Sequence, residues 1–280
     1  MTGSWIRVAV LPTSGALREA VSAAIFSGGA EGVHEDGDWL VTHVERSREA
    51  QVLEAAVRAA DPAAVIETAD VPAVDWSVAW RERAVAHTLG RLTVAPPWLA
   101  AGLDPAATVV IEPAMAFGTG DHATTRGVIR LMQAVIRVGD MVADVGAGSA
   151  VLAIAAAKLG ATRVAAIEMD DDAISNAEEN VTRNGVGDRV KVIGGDAMVL
   201  LPLVGPVRVV LANIVSSVLV QLLPVIAGSL AGDGVAILSG ILEEERERMV
   251  WMLSLKGWRI LAEDREEGWW SVAIVATGDE

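Results

Sequence analysis

The C-terminal two-thirds of the sequence alternates between short, continuously apolar segments and segments with helical periodicity. After a short strand over 109–111, strands are predicted over 141–145, 163–167, 190–193, 207–211, 235–238, 258–262 and 271–275. Helices are predicted over 124–135, 150–159, 171–184, 218–230 and 243–255. Uniformly apolar strands that alternate with helices are typical of a parallel sheet covered on both faces. We therefore predict an α/β fold with a doubly wound, mostly parallel seven-stranded sheet, closed by an antiparallel pair.

The first 68 residues have a different pattern, in the order βαββαβ. This order is that of a small ferredoxin-like α+β domain. Residues 69–97 form a predicted linker, and residues 98–280 the α/β domain. Trp76, Trp80 and Trp98 punctuate the connecting region. They could line a docking surface, but large aromatic side chains more often attach a linker to a neighbouring domain.

Composition excludes several kinds of site. The formal net charge of −15 at pH 7 argues against direct nucleic-acid binding, because phosphate binding needs clustered lysine and arginine. An acidic surface attracts a basic partner, although such a charge also serves solubility alone. The chain has no cysteine, which excludes thiolate zinc sites. Its four histidines lie far apart in sequence, so no metal site is predicted.

Two segments bear on localisation. Residues 1–10 lack the basic flank and long apolar core of a signal peptide. Residues 209–232 carry no charge and are long enough to raise the question of a membrane span, but they include Asn213, Gln221 and Pro224. We interpret them as a buried strand, a turn and a helix. The prediction is a cytoplasmic protein with no membrane partner.

A glycine-rich run over 144–150, Asp-Val-Gly-Ala-Gly-Ser-Ala, joins a predicted buried strand to a helix. Gly146 and Gly148 let the backbone turn sharply and approach a ligand. A dinucleotide-binding fingerprint would need a third glycine where Val151 stands. The shorter G-x-G-x-G spacing suits S-adenosylmethionine, which has no pyrophosphate. Its last position is Ala150, which we take as small enough for a helix start.

Two acidic residues follow the next two strands. Glu168 ends a strand where a carboxylate can accept hydrogen bonds from both ribose hydroxyls of a nucleoside cofactor. Nicotinamide enzymes share this feature, so Glu168 indicates a nucleoside cofactor in general and does not by itself distinguish a methyl donor. Asp196 stands where it could meet the adenine amino group, but a plain turn explains it nearly as well.

Asn213 ends the fourth strand, at the edge where doubly wound sheets bind ligands. Its side-chain carbonyl could orient a nucleophilic nitrogen toward a methyl group. Ile214 and Val215 follow instead of the Pro-Pro-aromatic pattern of base and glutamine methyltransferases, which disfavours a flat stacked substrate. On chemistry alone, the glycine-rich loop over 112–125 could be a lid, an anion site or a structural turn.

Four segments together resemble the bacterial ribosomal protein L-eleven (L11) methyltransferase family, PrmA: 112–125, 144–159, Asn213 and 238–242. The resemblance spans about residues 76–275. It implies an S-adenosylmethionine-dependent protein N-methyltransferase that acts on amino groups of L11, a basic ribosomal protein. These amino groups are lysine side chains and the N-terminal amine. It also implies that residues 1–68 recognise the substrate.

The predicted cofactor site combines the resemblance with the residue-level arguments. Asn213 is the predicted catalytic residue. The predicted cofactor-binding residues are Phe117, Gly118, Thr119, Thr125, Gly146, Gly148, Glu168, Asp196 and Asn213. The sequence departs from the family at Ala150, where glycine is usual, and at Glu168, where aspartate is usual.

Three other functions share parts of this pattern. A nicotinamide oxidoreductase has the same fold, but Val151 and the lack of a clear hydride-transfer acid argue against it. A non-enzymatic adaptor would keep the glycines for packing, and a related enzyme could methylate lysines of another protein. His122 is a candidate general base, although a structural histidine at a helix entry is the more common role.

Overall fold

A computed structural model describes residues 5–30, 32–44, 47–71, 84–112, 118 and 120–277. The chain divides into two compact units, Met1–Arg83 and Ala84–Glu280. Residues 87–95, which lie in the predicted linker, form strands of the second unit. The predicted domain boundaries at 68 and 97 stay predictions. Trp76 and Trp80 lie outside the described residues.

The first unit has the predicted ferredoxin-like order. Its elements are β1 (Trp5–Leu11), α1 (Arg18–Ser27), β2 (His34–Asp36), β3 (Trp39–Val44), α2 (Ser47–Ala60) and β4 (Val65–Val71). The strands form an antiparallel sheet in the order β2-β3-β1-β4. Val8, Val21, Ile25, Leu53 and Val57 are fully buried in its core. The sequence pattern therefore predicted this unit correctly.

The second unit contains a short three-stranded sheet and the main sheet. The first elements are β5 (His87–Leu89), β6 (Leu92–Ala95), β7 (Thr108–Val110), α3 (Ala123–Val135), β8 (Met141–Val145), α4 (Val151–Lys158), β9 (Arg163–Glu168) and α5 (Asp171–Arg183). There follow β10 (Val190–Gly194), α6 (Ala197–Val204), β11 (Val207–Asn213), α7 (Ser216–Ser229), β12 (Leu230–Leu242), α8 (Arg246–Leu255), β13 (Trp258–Glu266) and β14 (Trp269–Ala276).

The main sheet has seven strands in the order β10-β9-β8-β11-β12-β14-β13. The pairs from β10 to β12 are parallel, and β14 is antiparallel to both of its neighbours. This confirms the predicted doubly wound sheet with an antiparallel closing pair. The predicted strand over 109–111 is β7, which pairs with β6 in the separate sheet. Strand order reverses between β8 and β11, where doubly wound sheets place their ligands.

Helix α3 is connected to the last hairpin by two arginines. Arg126 Nε donates to Glu266 at 3.0 Å, and Arg130 Nε donates to Asp264 at 2.8 Å. Arginine–carboxylate hydrogen bonds of this kind are among the stronger ones in proteins because both partners are charged. They fix the amino end of α3, which carries Thr125, against the hairpin between β13 and β14.

The uncharged residues 209–232 form the end of β11, helix α7 and the start of β12, close to the predicted strand, turn and helix. Across the described ranges, no helix is long and apolar enough to cross a membrane.

The backbone conformation at Ala150 constrains which residue fits there. Ala150 precedes α4 with φ 63° and ψ 20°, in the left-handed region, and it is fully buried. The expectation that a small residue suffices here was incomplete, because the backbone angle and not the side-chain volume favours glycine. A left-handed conformation costs an L-residue about 1–2 kcal/mol.

We expect Ala150→Gly to increase the free energy of unfolding by about 0.5–1 kcal/mol, since relieved strain exceeds the added entropy of the unfolded chain. Ala155→Gly is the matched control, in the middle of α4 and also fully buried. It should decrease the free energy of unfolding by about 1 kcal/mol. Urea denaturation measures both changes. A decrease for Ala150→Gly would contradict the strain argument.

Candidate functional site

A cavity of about 730 Å³ lies at the carboxyl ends of the central strands. Seven of the nine predicted cofactor residues line it: Gly118, Thr125, Gly146, Gly148, Glu168, Asp196 and Asn213. The other two, Phe117 and Thr119, lie outside the described residues. The structure thus brings together residues that are up to 95 positions apart, from Gly118 to Asn213. Their individual roles stay predictions.

The glycine-rich turn after β8 requires glycine at position 146. Gly146 has φ 68°, and a Cβ built on it would lie 2.6 Å from Ile214 Cγ2. Gly148 also has a left-handed φ, of 52°. Both backbones line the cavity, so a ligand can approach them without meeting a side chain.

The carboxylate of Glu168 is oriented by three backbone N–H groups. Its Oε2 accepts from Gly148 N at 2.8 Å, and its Oε1 accepts from Met169 N at 2.8 Å and Asp170 N at 3.1 Å. A carboxylate has about four acceptor positions, so capacity remains for a ligand hydroxyl. Glu168 also connects β9 to the glycine-rich turn. The side chain is therefore rigidly placed at the cavity wall.

Asp196 has a local structural role in addition to its position in the cavity. Its Oδ1 accepts from Met198 N at 2.8 Å and caps the start of α6. This agrees with the turn interpretation and leaves the proposed adenine contact as a prediction. Ala197 and Met198 follow it on the cavity wall and supply apolar surface.

Asn213 ends β11 beside Thr125 of α3. Its Nδ2 lies 3.5 Å from Thr125 Oγ1, and Thr125 is fully buried. Within the described part of the chain, no donor is bonded to Asn213 Oδ1. The amide can therefore accept a hydrogen bond from a substrate N–H group at the cavity.

His122 caps α3, as expected for a helix-entry histidine. Its Nδ1 lies 2.7 Å from Thr124 Oγ1 and accepts from Thr124 N at 3.4 Å. Burial and the nearby Arg126 charge lower the pKa of His122, against an opposing effect of Glu267. The imidazole is therefore neutral near pH 7, with one ring nitrogen engaged by the helix.

Trp269 and Gly240 are among the residues that line the cavity but that the sequence argument did not assign to it. Trp269 lines it and meets the His122 ring edge-on, with ring centroids 4.9 Å apart. Gly240 also lines it at φ 82°, where a Cβ would collide with the Ile214 backbone. Gly240 lies two residues after the predicted strand over 235–238 and inside the observed β12, and a glycine within a strand often marks such a close approach. The signal for Trp269 was the pair of consecutive tryptophans at the start of a strand, because their side chains must face opposite sides of the sheet.

Asp144 is a buried acid in the wall behind the glycine-rich turn. It is 1% exposed, and its Oδ2 accepts from Ala153 N at 2.9 Å. Its Oδ1 has no partner among the described residues. Burial raises the pKa of Asp144 to about 7, the Ala153 hydrogen bond lowers it, and the Glu168 charge raises it further.

The described residues contain no group of three or more histidine, cysteine or acidic side chains placed to hold a metal ion.

The strand order of the main sheet, with a glycine-rich turn after β8 and polar residues after β9 and β11, defines an α/β methyltransferase fold. Comparison with known proteins gives the family. Residues 38–277 match the family described as ribosomal protein L11 methyltransferase (PrmA). The chain belongs to this family and is a methyltransferase, which confirms the resemblance seen in the sequence.

Individual relatives agree with this assignment. The chain is 40% identical over 214 residues to a ribosomal protein L11 methyltransferase of Pelotomaculum thermopropionicum, covering 76% of this chain and 69% of the relative. It is 36% identical over 220 residues to that of Desulforamulus reducens, covering 78% and 71%. A solved ribosomal protein L11 methylase from Lactobacillus delbrueckii subsp. bulgaricus has a TM-score of 0.61 and 30% identity, covering 68% of this chain and 98% of that one.

The raised pKa of Asp144 predicts a pH-dependent stability. The folded carboxyl, with a pKa of about 7, binds more protons than the unfolded one, at 3.8, so the parent loses stability as pH rises between these values. Asp144→Asn cannot ionise. We expect its free energy of unfolding relative to the parent to rise by about 2–3 kcal/mol from pH 5 to pH 8. Urea denaturation at each pH measures it, and a constant or falling difference would contradict the assignment.

Proposed function

We propose that this protein transfers methyl groups from S-adenosylmethionine to amino groups of ribosomal protein L11, at lysine side chains and the N-terminal amine. The observation that carries the proposal is that one cavity is lined by a glycine-rich turn, an oriented carboxylate and the asparagine at the end of β11. Membership of the L11 methyltransferase family supports the substrate. The proposed location is the cytoplasm, because the substrate is a ribosomal protein.

The cavity residues suit S-adenosylmethionine. Its volume falls within the range of about 300–1,000 Å³ typical of small-molecule sites. We assign the ribose hydroxyls to Glu168, which keeps acceptor capacity, and the adenine to the wall formed by Asp196, Ala197 and Met198. Val151 stands where a pyrophosphate-binding turn would have its third glycine, which supports a cofactor without pyrophosphate.

Methyl transfer requires a neutral, oriented amine. S-adenosylmethionine, when bound, supplies an electrophilic methyl group on a sulfonium ion. A free lysine has a pKa of about 10.4 and must lose a proton before its nitrogen can attack. Val215, Val218 and Leu222 make the adjoining wall apolar, and desolvation there favours the neutral amine. Asn213 Oδ1 accepts an N–H hydrogen bond and fixes the direction of the nitrogen lone pair.

The amine proton goes to water in this proposal. His122 is neutral near pH 7, because burial and Arg126 lower its pKa, but its Nδ1 caps α3. Its geometry therefore gives it a structural role at the helix and an aromatic contact with Trp269. The net charge of −15 favours approach of a basic protein substrate.

Two substitutions should separate transfer from cofactor binding. We expect Asn213→Ala to lower kcat for methylation of purified L11 by about 100-fold, because it removes the group that orients the nucleophile. Its Kd for S-adenosylhomocysteine should stay near that of the parent. Glu168→Ala should raise that Kd by at least about tenfold, because a charged hydrogen-bond acceptor is lost. Calorimetry and mass spectrometry of L11 provide the measurements.

Glu178→Ala is the matched control for Glu168→Ala, since Glu178 is an exposed acid of α5 that does not line the cavity. It should retain both affinity and activity. Equal losses of kcat and affinity in Asn213→Ala would contradict the orienting role. Unchanged affinity in Glu168→Ala would contradict the ribose assignment. Methylation of another protein, with L11 unmodified, would keep the enzyme class and exclude the proposed substrate.

A further inference from the structure

Three asparagines lie one helical turn apart, two in α5 and one at its C-cap, on the side that meets residues 110–112. They are Asn176, Asn180 and Asn184, and none of these three described side chains lines the cavity. Asn180 is fully buried, at 0% exposed. A buried amide must have its hydrogen bonds satisfied within the protein. The partners of Asn180 therefore indicate what the side chain does.

The asparagines take the place of a neighbouring strand beside the end of β7. Asn184 Oδ1 accepts from Val110 N at 2.9 Å, and Asn184 Nδ2 donates to Val110 O at 2.6 Å. Two residues further along, Glu112 N donates to Asn180 Oδ1 at 2.9 Å. Four helical residues rise about 6 Å and two strand residues about 6.6 Å. Every fourth side chain of α5 can therefore pair with every second residue of this segment.

Asn180 contacts the glycine-rich turn as well. Its Nδ2 donates to Ser149 O at 3.2 Å, and Ser149 Oγ donates to Gly118 O at 2.7 Å. Glu112 and Gly118 are the two ends of segment 112–118. Both ends are thus connected to one buried amide, the first directly and the second through Ser149.

The other two asparagines do not reach the turn. Asn176 Nδ2 lies 3.5 Å from Glu112 O, and Asn176 Oδ1 accepts from Asn180 at 3.3 Å. Asn184 bonds to Val110 and to the carbonyl of Asn180 in its own helix. Among the described contacts, Asn180 is the member of the set that joins segment 112–118 to the glycine-rich turn.

We propose that Asn180 is a positioning residue for the methyl donor. Its amide sets the distance between the glycine-rich turn and both ends of segment 112–118, and Gly118 at the end of that segment lines the cavity. The inference rests on the proposed function, which assigns this cavity to S-adenosylmethionine. Loss of the amide should move cavity walls that Asn180 itself does not touch.

The test compares Asn180→Ala with Asn184→Ala in the full chain. Each substitution removes an asparagine of α5 or its C-cap and leaves one backbone N–H of residues 110–112 without its partner. Asn180→Ala alone of the two loses the contact with Ser149. The readouts are the Kd for S-adenosylhomocysteine, the KM for S-adenosylmethionine, the Tm, and hydrogen exchange in the cofactor-free protein.

We expect Asn180→Ala to raise the Kd and KM by about tenfold, because small displacements of a binding wall have large effects. Asn184→Ala should lower the Tm by a comparable amount but keep the Kd and KM within about twofold of the parent values. In the cofactor-free protein, Asn180→Ala should exchange faster both in peptides covering 110–118 and in those covering 146–150. Asn184→Ala should exchange faster in the first set alone.

Ser149→Ala provides a second variant in case Asn180→Ala does not fold. It removes the hydroxyl that donates to Gly118 O and changes little volume. We expect it to raise the Kd by about threefold. The proposal would be overturned if Asn180→Ala or Ser149→Ala kept the affinity and hydrogen exchange of the parent. It would also be overturned if Asn180→Ala and Asn184→Ala lost affinity equally. A parent that bound no S-adenosylhomocysteine would contradict the proposed function, while the exchange comparison would still decide the role of Asn180.

Discussion

The turns after β8 and β11 and the last part of β12 approach one another so closely that two positions have no room for a side chain. A Cβ on Gly146 would lie 2.6 Å from Ile214 Cγ2, and a Cβ on Gly240 would collide with the Ile214 backbone. Because both glycines and Ile214 also line the cavity, this close approach determines the shape of its floor. Glu168 and Asn213 then project from neighbouring strand ends at fixed positions.

The polar groups around this floor are fixed mainly by backbone hydrogen bonds. Glu168 accepts from three N–H groups, and Asp196 and His122 cap the helices that follow them. Groups fixed in this way lose little conformational freedom when a ligand binds, which favours affinity and orientation. We infer that Asn180, which lies outside the cavity, fixes both ends of segment 112–118 through hydrogen bonds in the same way. The buried acid Asp144 lies behind the turn, where its ionisation opposes folding.

Sequence periodicity predicted most of this architecture, because apolar strands and amphipathic helices record which faces are buried. It also placed Glu168 and Asn213 at strand ends, where topology brings them together. Backbone angles were harder to predict: Ala150 was judged by size, but its positive φ is what favours glycine. Trp269 was missed because only strand register distinguishes it from the fully buried Trp270. The role of Asn180 depends on contacts between segments distant in sequence, which periodicity does not contain.

A crystal structure with S-adenosylhomocysteine tests the central claim most directly, because it shows where the cofactor product binds. The account predicts ribose hydroxyls within hydrogen-bonding distance of Glu168, adenine beside Asp196 and Met198, and the sulfur facing Asn213. A ligand outside this cavity, or a ribose turned away from Glu168, would contradict the account.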